Sequence, residues 1–217
     1  MPWPDADVIH LHWLSEIAGR GREPLRKVLG SYLGLPPARV VIEQSGPSTK
    51  PVLADGAGLR FNWSHSRDLA LVAVAVGSEL GVDIEYQDRK LDAVLLAERF
   101  FAAEETALLR AMAPAEARRA FLRIWTGKEA VLKAAGCGIG GGLDRVIVLP
   151  DEAAGLRLVR SALAQMPEAP MQLRALPVPR EDVLASLAWS GRARRLRHFR
   201  HLEPIATSEL LHPTAQA

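Results

Sequence analysis

The chain has 217 residues, 48% of them hydrophobic and 24% charged, the balance of a folded globular protein rather than of a disordered or membrane-embedded one. Its formal net charge of +2 is too small to argue for nucleic acid by itself. The single cysteine, Cys137, excludes an intrachain disulfide framework and a cysteine-based metal centre, and fits a reducing cytosol. The first residues, MPWPDADVIHLHWLSE, lack a basic segment followed by an apolar run, so no signal peptide is expected. The longest apolar run, LALVAVAV, is too short to cross a bilayer and suits a buried strand.

In chain order, DVIHLHWL alternates and reads as a short strand. REPLRKVLGSYLGL reads as a helix with Pro24 near its first turn and Gly34 near its end, where each is harmless or useful. ARVVIEQ reads as a strand, SGPSTKPVLADGAG as a turn-rich loop, and LRFNWSHS as an extended segment leading into a polar corner. The two apolar arms of LALVAVAVGSELGVDIEY predict a hairpin around GSE. LDAVLLAERFF, AEETALLRAM and PAEARRAFLRIWTGKEAVLKAAG predict three helices, the last ending at Gly136. GCGIGGG reads as a flexible loop, and five strand-like segments follow from Leu143.

DLALVAVAVG (Asp68 to Gly77) and DVLASLAWSG (Asp182 to Gly191) share length, an opening Asp and a closing Gly. The fold class expected is α+β, with two similar halves, residues 1–90 and 91–217, and a site in the cleft between them. Chance similarity of short apolar strands is the competing explanation.

Four clusters could carry chemistry. In GVDIEY, strand alternation puts Asp83 and Glu85 on one face. Two like charges so placed need a cation, water or raised pKa values; oxygen ligands at this spacing suit Mg²⁺, and a solvated strand end suits them equally. In WTGKEAVLKAAG, helical spacing of 100° per residue puts Leu122, Trp125, Glu129 and Lys133 in one stripe. Glu129 and Lys133 could be a surface pair contributing about 0.2–0.5 kcal/mol, or a charged site at the edge of the core, since the stripe begins apolar. FNWSHS gathers Asn62, Ser64, His65 and Ser66, which fits a turn or a phosphate contact through His65. Lys50, before Pro51, is by itself an ordinary solvated lysine.

Taken in order, Lys50-Pro51, FNWSHS, GVDIE, RFFAAEE and WTGKEAVLKAAGCGI resemble the Sfp-type phosphopantetheinyl transferases over roughly residues 24–140. The resemblance implies Mg²⁺-dependent transfer of the phosphopantetheine arm of coenzyme A to a serine of an acyl or peptidyl carrier protein. Adenosine 3′,5′-bisphosphate is the product left behind. It implies metal ligation by Asp83, Glu85 and Glu129, with Glu129 also the base for the carrier serine and Asp83 and Lys133 in the catalytic set. It places Lys50, Ser64, His65, Lys128 and Lys133 at coenzyme A, and Arg26 at its 3′-phosphate on a weaker motif. A cytoplasmic monomer with no nucleic-acid or membrane partner is expected. The competing function is a degenerate member that binds coenzyme A or a carrier without turnover.

Three departures from the family pattern stand out. Ala102 replaces the usual Ser or Thr of a capping box, a change expected to cost about 0.5–2 kcal/mol of helix stability. Trp63 stands where Leu or Ile is usual and is expected to pack. GCGIGGG is longer in glycine than usual, which predicts a mobile loop. Separately, the basic run GRARRLRHFRHLE reads as a charged edge strand, or as a surface that steers an acidic carrier.

Overall fold

The computed structural model describes residues 1–44, 50–54, 58–137 and 142–201. In chain order these form β1 (Val8–Leu14), α1 (Glu23–Leu33), β2 (Ile42–Glu43), β3 (Val52–Leu53), β4 (Leu59–Ser66), β5 (Leu69–Val76) and β6 (Leu80–Tyr86). Then come α2 (Ala93–Phe100), α3 (Ala103–Arg110), α4 (Pro114–Ala134), β7 (Val146–Asp151), β8 (Gly155–Ser161), β9 (Met171–Ala175), β10 (Val183–Ser190) and β11 (Arg195–His201). The fold is α+β. No helix among the described residues is long and apolar enough to cross a membrane.

Two sheets form the centre. One has the order β11-β1-β5-β4, the other β6-β10-β9. Strand alternation explains how they stack. Leu69, Leu71, Ala73 and Ala75 of β5 join Leu80, Val82, Ile84 and Tyr86 of β6 and Val183, Ala185, Leu187 and Trp189 of β10 in one core between the sheets. The other face of β5, Ala70, Val72 and Val74, packs against Leu25, Val28 and Leu29 of α1. β5 is therefore buried on both faces, which is why it reads as a continuous apolar run. On the far side of the second sheet, α4 packs with α2, α3, β7 and β8 in a third cluster. The layers run α1, sheet, sheet, α4.

The helices begin and end as their residues dictate. Pro24 occupies the first turn of α1, and Gly34 closes it at φ 67° with its N–H on the Gly30 carbonyl. The Asp92 side chain caps α2 at the Leu95 N–H. α4 starts on Pro114, and Gly136 beyond it takes φ 76°, a conformation glycine adopts without strain.

Two expectations fail. The arms around Gly77-Ser78-Glu79 form no hairpin: β5 pairs with β4 and β1, while β6 pairs with β10. Both edges of β5 are already taken, so β6 passes to the other sheet. The hairpin in this region is β4–β5, turning through Arg67 and Asp68. The ARVVIEQ strand shrinks to Ile42–Glu43, with a 3-10 turn at Pro37–Arg39 before it. The basic run does form an edge strand, β11, parallel to β1; its last two residues, and positions 138–141 of the glycine-rich loop, lie outside the described residues.

Candidate active site

β4 and β6 are edge strands of their respective sheets, and they meet beside α4. The meeting depends on Gly81. A Cβ there would lie 1.9 Å from the Ala130 carbonyl oxygen and 2.5 Å from the Ala134 nitrogen of α4. Only a residue without a side chain lets the strand lie that close to the helix. Alternation then aims Asp83 and Glu85 toward α4, while Val82 and Ile84 enter the core between the sheets.

Val82 carries its backbone polar groups toward the open edge of β6. Its N–H donates to Asn62 Oδ1 at 2.8 Å, and its carbonyl accepts from Lys133 Nζ at 3.1 Å. A side chain from β4 and one from α4 thus do the work of a missing strand, as buried backbone groups require. Behind Asp83, its register partner Ser186 meets Thr126 of α4, Oγ to Oγ1, at 2.9 Å.

The charged cluster sits on this frame. Lys133 Nζ lies 2.7 Å from Asp83 Oδ1 and 3.3 Å from Ser64 Oγ, and Ser64 Oγ donates to Asp83 Oδ1 at 2.9 Å. Glu85 accepts from Arg89 at 2.5 Å. Glu129 is only 4% exposed. Burial pushes its carboxyl up to about 7; the neighbouring charge of Asp83 and then of Glu85 adds to this, and Lys133 opposes it. Burial likewise raises Glu85, against the pull of Arg89.

Asp83 Oδ2 and Glu129 Oε1 are buried and have no hydrogen-bond partner. Unpaired buried carboxylate oxygens are costly, and two of them beside one another are suited to a hard cation that prefers oxygen ligands. Among the described residues, however, no three His, Cys, Asp or Glu side chains are grouped closely enough to hold a metal ion. The three expected ligands are not converged: Lys133 engages Asp83 and Arg89 engages Glu85. The donor set fits Mg²⁺ in kind: Lys133 engages only Oδ1 of Asp83 and leaves Oδ2 free.

The 4′-phosphopantetheinyl transferase superfamily matches the chain over residues 79–178, from the strand carrying Asp83 through β9. The chain is 36% identical over 181 residues to 4′-phosphopantetheinyl transferase HetI of Nostoc sp., covering 79% of this chain and 69% of that protein. The chain belongs to the 4′-phosphopantetheinyl transferase family. It is also 36% identical over 125 residues to 4′-phosphopantetheinyl transferase psf-1 of Bacillus pumilus, covering 57% of this chain and 52% of that one. With L-aminoadipate-semialdehyde dehydrogenase-phosphopantetheinyl transferase of Xenopus laevis it shares 33% identity over 143 residues, covering 61% and 47% respectively. The chain thus spans about half the length of the last two relatives.

In this transferase the structure brings together Ser64, Asp83, Glu85, Glu129 and Lys133, and it separates others. His65 follows Ser64 on β4 and so points to the opposite face, exposed and beside Trp63 at 5.1 Å between ring centroids. Trp63 itself packs against the α1 cluster, as expected. Arg26 is exposed on α1. Lys50 is paired with Glu79 at 2.7 Å, and Arg60 meets the same carboxylate. Lys128 departs most from expectation: it is fully buried and turned away from the cluster, ion-paired with Glu105 at 2.6 Å. A single residue step separates outcomes here, because Lys128 lies 100° around α4 from Glu129. Sequence reasoning missed Asn62 as a partner of β6, Gly81 as the contact with α4, and Glu105 as the partner of Lys128. The Ser64–Asp83 bond was legible only as a shared parity on two strands whose contact was not foreseen.

Proposed function

We propose that this transferase moves the phosphopantetheine arm of coenzyme A to a serine of an acyl or peptidyl carrier protein, with Mg²⁺, releasing adenosine 3′,5′-bisphosphate. The observation that carries this reading is the pair of unpartnered buried oxygens on Asp83 and Glu129, with Lys133 beside them. Asp83, Glu85 and Glu129 would hold the ion, which supplies charge stabilisation to a pyrophosphate.

The reaction forms a bond from the serine oxygen to phosphorus and breaks the pyrophosphate bond, so negative charge grows on phosphate oxygens. Lys133 offers a mobile point charge for that purpose. Glu129 would accept the serine proton. Ser64 orients Asp83 through its 2.9 Å hydrogen bond. Lys50, His65 and Arg26 would meet the phosphates of coenzyme A, Lys50 by exchanging Glu79 for a phosphate.

The same reading takes the fold as two similar units, residues 1–90 and 91–217, with the site between them. It is supported by the parallel roles of β5 and β10, each the centre of its sheet between antiparallel neighbours. Each is followed by a strand that joins the other sheet, β6 and β11. The reading takes the protein as a cytoplasmic monomer. Calorimetric titration with coenzyme A tests the site: Mg²⁺ should tighten binding at least tenfold in the wild type and not in Asp83→Asn. Equal affinity with and without Mg²⁺ would contradict the metal role.

A further inference from the structure

We propose that the buried Glu105–Lys128 pair is a positioning device: it fixes the rotation of α4 about its axis, and so where Glu129 and Lys133 point. This inference rests on the reading of the site given above.

Both side chains are 0% exposed. Lys128 has three N–H donors and three oxygen partners: Glu105 Oε2, the Leu143 carbonyl and the Val146 carbonyl. Its ammonium also lies 4.5 Å from the centroid of the Phe101 ring. Glu105 in turn accepts from Val148 N at 2.8 Å and from Ala102 N at 3.0 Å. A single ion pair therefore joins the start of α3, the middle of α4, the turn at Leu143–Arg145 and β7. The Ala102 substitution loses its own side-chain cap, yet the Glu105 half of that motif persists because it belongs to this network.

Stability alone does not explain the pair. A buried ion pair commonly gives no more stability than apolar side chains of the same volume. What it gives is direction: five such bonds are satisfied together at one setting of α4. Lys128 is the residue next to Glu129. A 20° rotation of a helix roughly 5–6 Å in radius moves a side chain by about 2 Å, and an error of 1 Å at a reacting group can cost about a hundredfold in rate. A lysine and a glutamate that touch no substrate can therefore govern turnover.

The test uses Glu105→Gln and the double variant Glu105→Leu/Lys128→Met, which removes both charges without stranding one. The double variant strands the Val148 and Ala102 N–H groups and loses some stability; positioning predicts that, at a temperature where it is fully folded, its kcat falls at least tenfold while KM for coenzyme A stays within about threefold. It also predicts faster amide hydrogen exchange confined to residues 127–134 and 80–86. A double variant as active as the wild type would overturn the proposal, as would faster exchange spread evenly over the molecule with activity merely following stability. Should the wild type modify no carrier offered, the exchange pattern alone decides, so failure of the transferase reading is told apart from failure of this one. Should the double variant not fold, Glu105→Gln carries the same readouts.

Discussion

Lys133 is bonded to Asp83, across from another sheet, and not to Glu129 one turn earlier on its own helix. The spacing of Glu129 and Lys133 would allow the ordinary surface pair. Instead the lysine joins α4 to β6, and Glu129 keeps a buried oxygen with no partner. The site is thus assembled with one cation already in it and one carboxylate held in reserve.

Glu129→Gln should fold and lose nearly all turnover. Its stability should report the buried carboxylate with a definite sign. The folded-state midpoint is about 7 against an ordinary value of 4.5, so between those pH values the folded protein holds a proton that the unfolded chain has released. Wild-type stability therefore falls as pH rises through that window, by up to about 3 kcal/mol for a shift of this size. Urea unfolding should show Glu129→Gln more stable than wild type at pH 8 and equal to it at pH 4.5. Equal stability at both would mean that Glu129 is ordinary and solvated.

Gly81 and Gly127 should respond differently to alanine. At Gly81 the new methyl meets backbone at 1.9 and 2.5 Å, which neither β6 nor α4 can yield cheaply. A loss of about 3 kcal/mol or more, with loss of activity, is expected. At Gly127 the contacts are side-chain ends, Leu156 at 2.9 Å and Val148 at 3.1 Å, and alanine favours the helix by about 1 kcal/mol. A net change near zero is expected there. Thermal unfolding of both variants checks the contrast; a tolerant Gly81 would mean that β6 does not lie on α4 this closely.

Asn62→Ala removes the acceptor of the Val82 N–H. A stranded buried donor costs about 1–3 kcal/mol, and the strand bearing Asp83 should loosen. Chemical denaturation gives the energy. Amide exchange at Val82 should rise; an unchanged rate would show that Asn62 is not its partner in solution.

A second pH effect comes from the other end of the molecule. His10 and His12 both meet the Tyr32 hydroxyl, at 2.8 and 2.6 Å. Burial pushes His10 down to about 4, with Arg197 adding and Asp5 opposing, and burial holds His12 well below its ordinary range. As pH falls from 6.5 toward 4, the unfolded chain binds protons that these folded-state rings refuse, so stability drops, by roughly 2 kcal/mol for His10 at pH 5, with His12 acting in the same direction. Measured in Glu129→Gln, which silences the opposite trend, His10→Gln/His12→Gln should flatten the decline. An unaltered slope would remove the pair from acid sensitivity.

Much of this was legible in the sequence. The helices α1 to α4 follow from periodicity and from Pro24, Asp92, Pro114 and Gly136. The motif order singles out Asp83, Glu85, Glu129 and Lys133, which the site is proposed to use. What escaped was long-range. Nothing in LALVAVAVGSELGVDIEY says that both edges of its first strand are occupied by β1 and β4, so a local hairpin looked sufficient. Lys128 and Glu129 are neighbours in sequence with equal polarity. Both are buried, but Lys128 turns to Glu105, 23 residues upstream, and to the backbone carbonyls of Leu143 and Val146, acceptors that side-chain composition does not reveal. Gly81 looked like an ordinary strand residue because close approach leaves no trace in composition.

The central claim is most directly tested by intact-protein mass spectrometry of an apo carrier protein mixed with this transferase, coenzyme A and Mg²⁺. The account predicts a mass gain of one phosphopantetheinyl group, absent with EDTA and absent with Glu129→Gln. The same gain in the presence of EDTA or with Glu129→Gln would contradict the role given to the site, and no gain across acyl and peptidyl carriers would contradict the transfer itself.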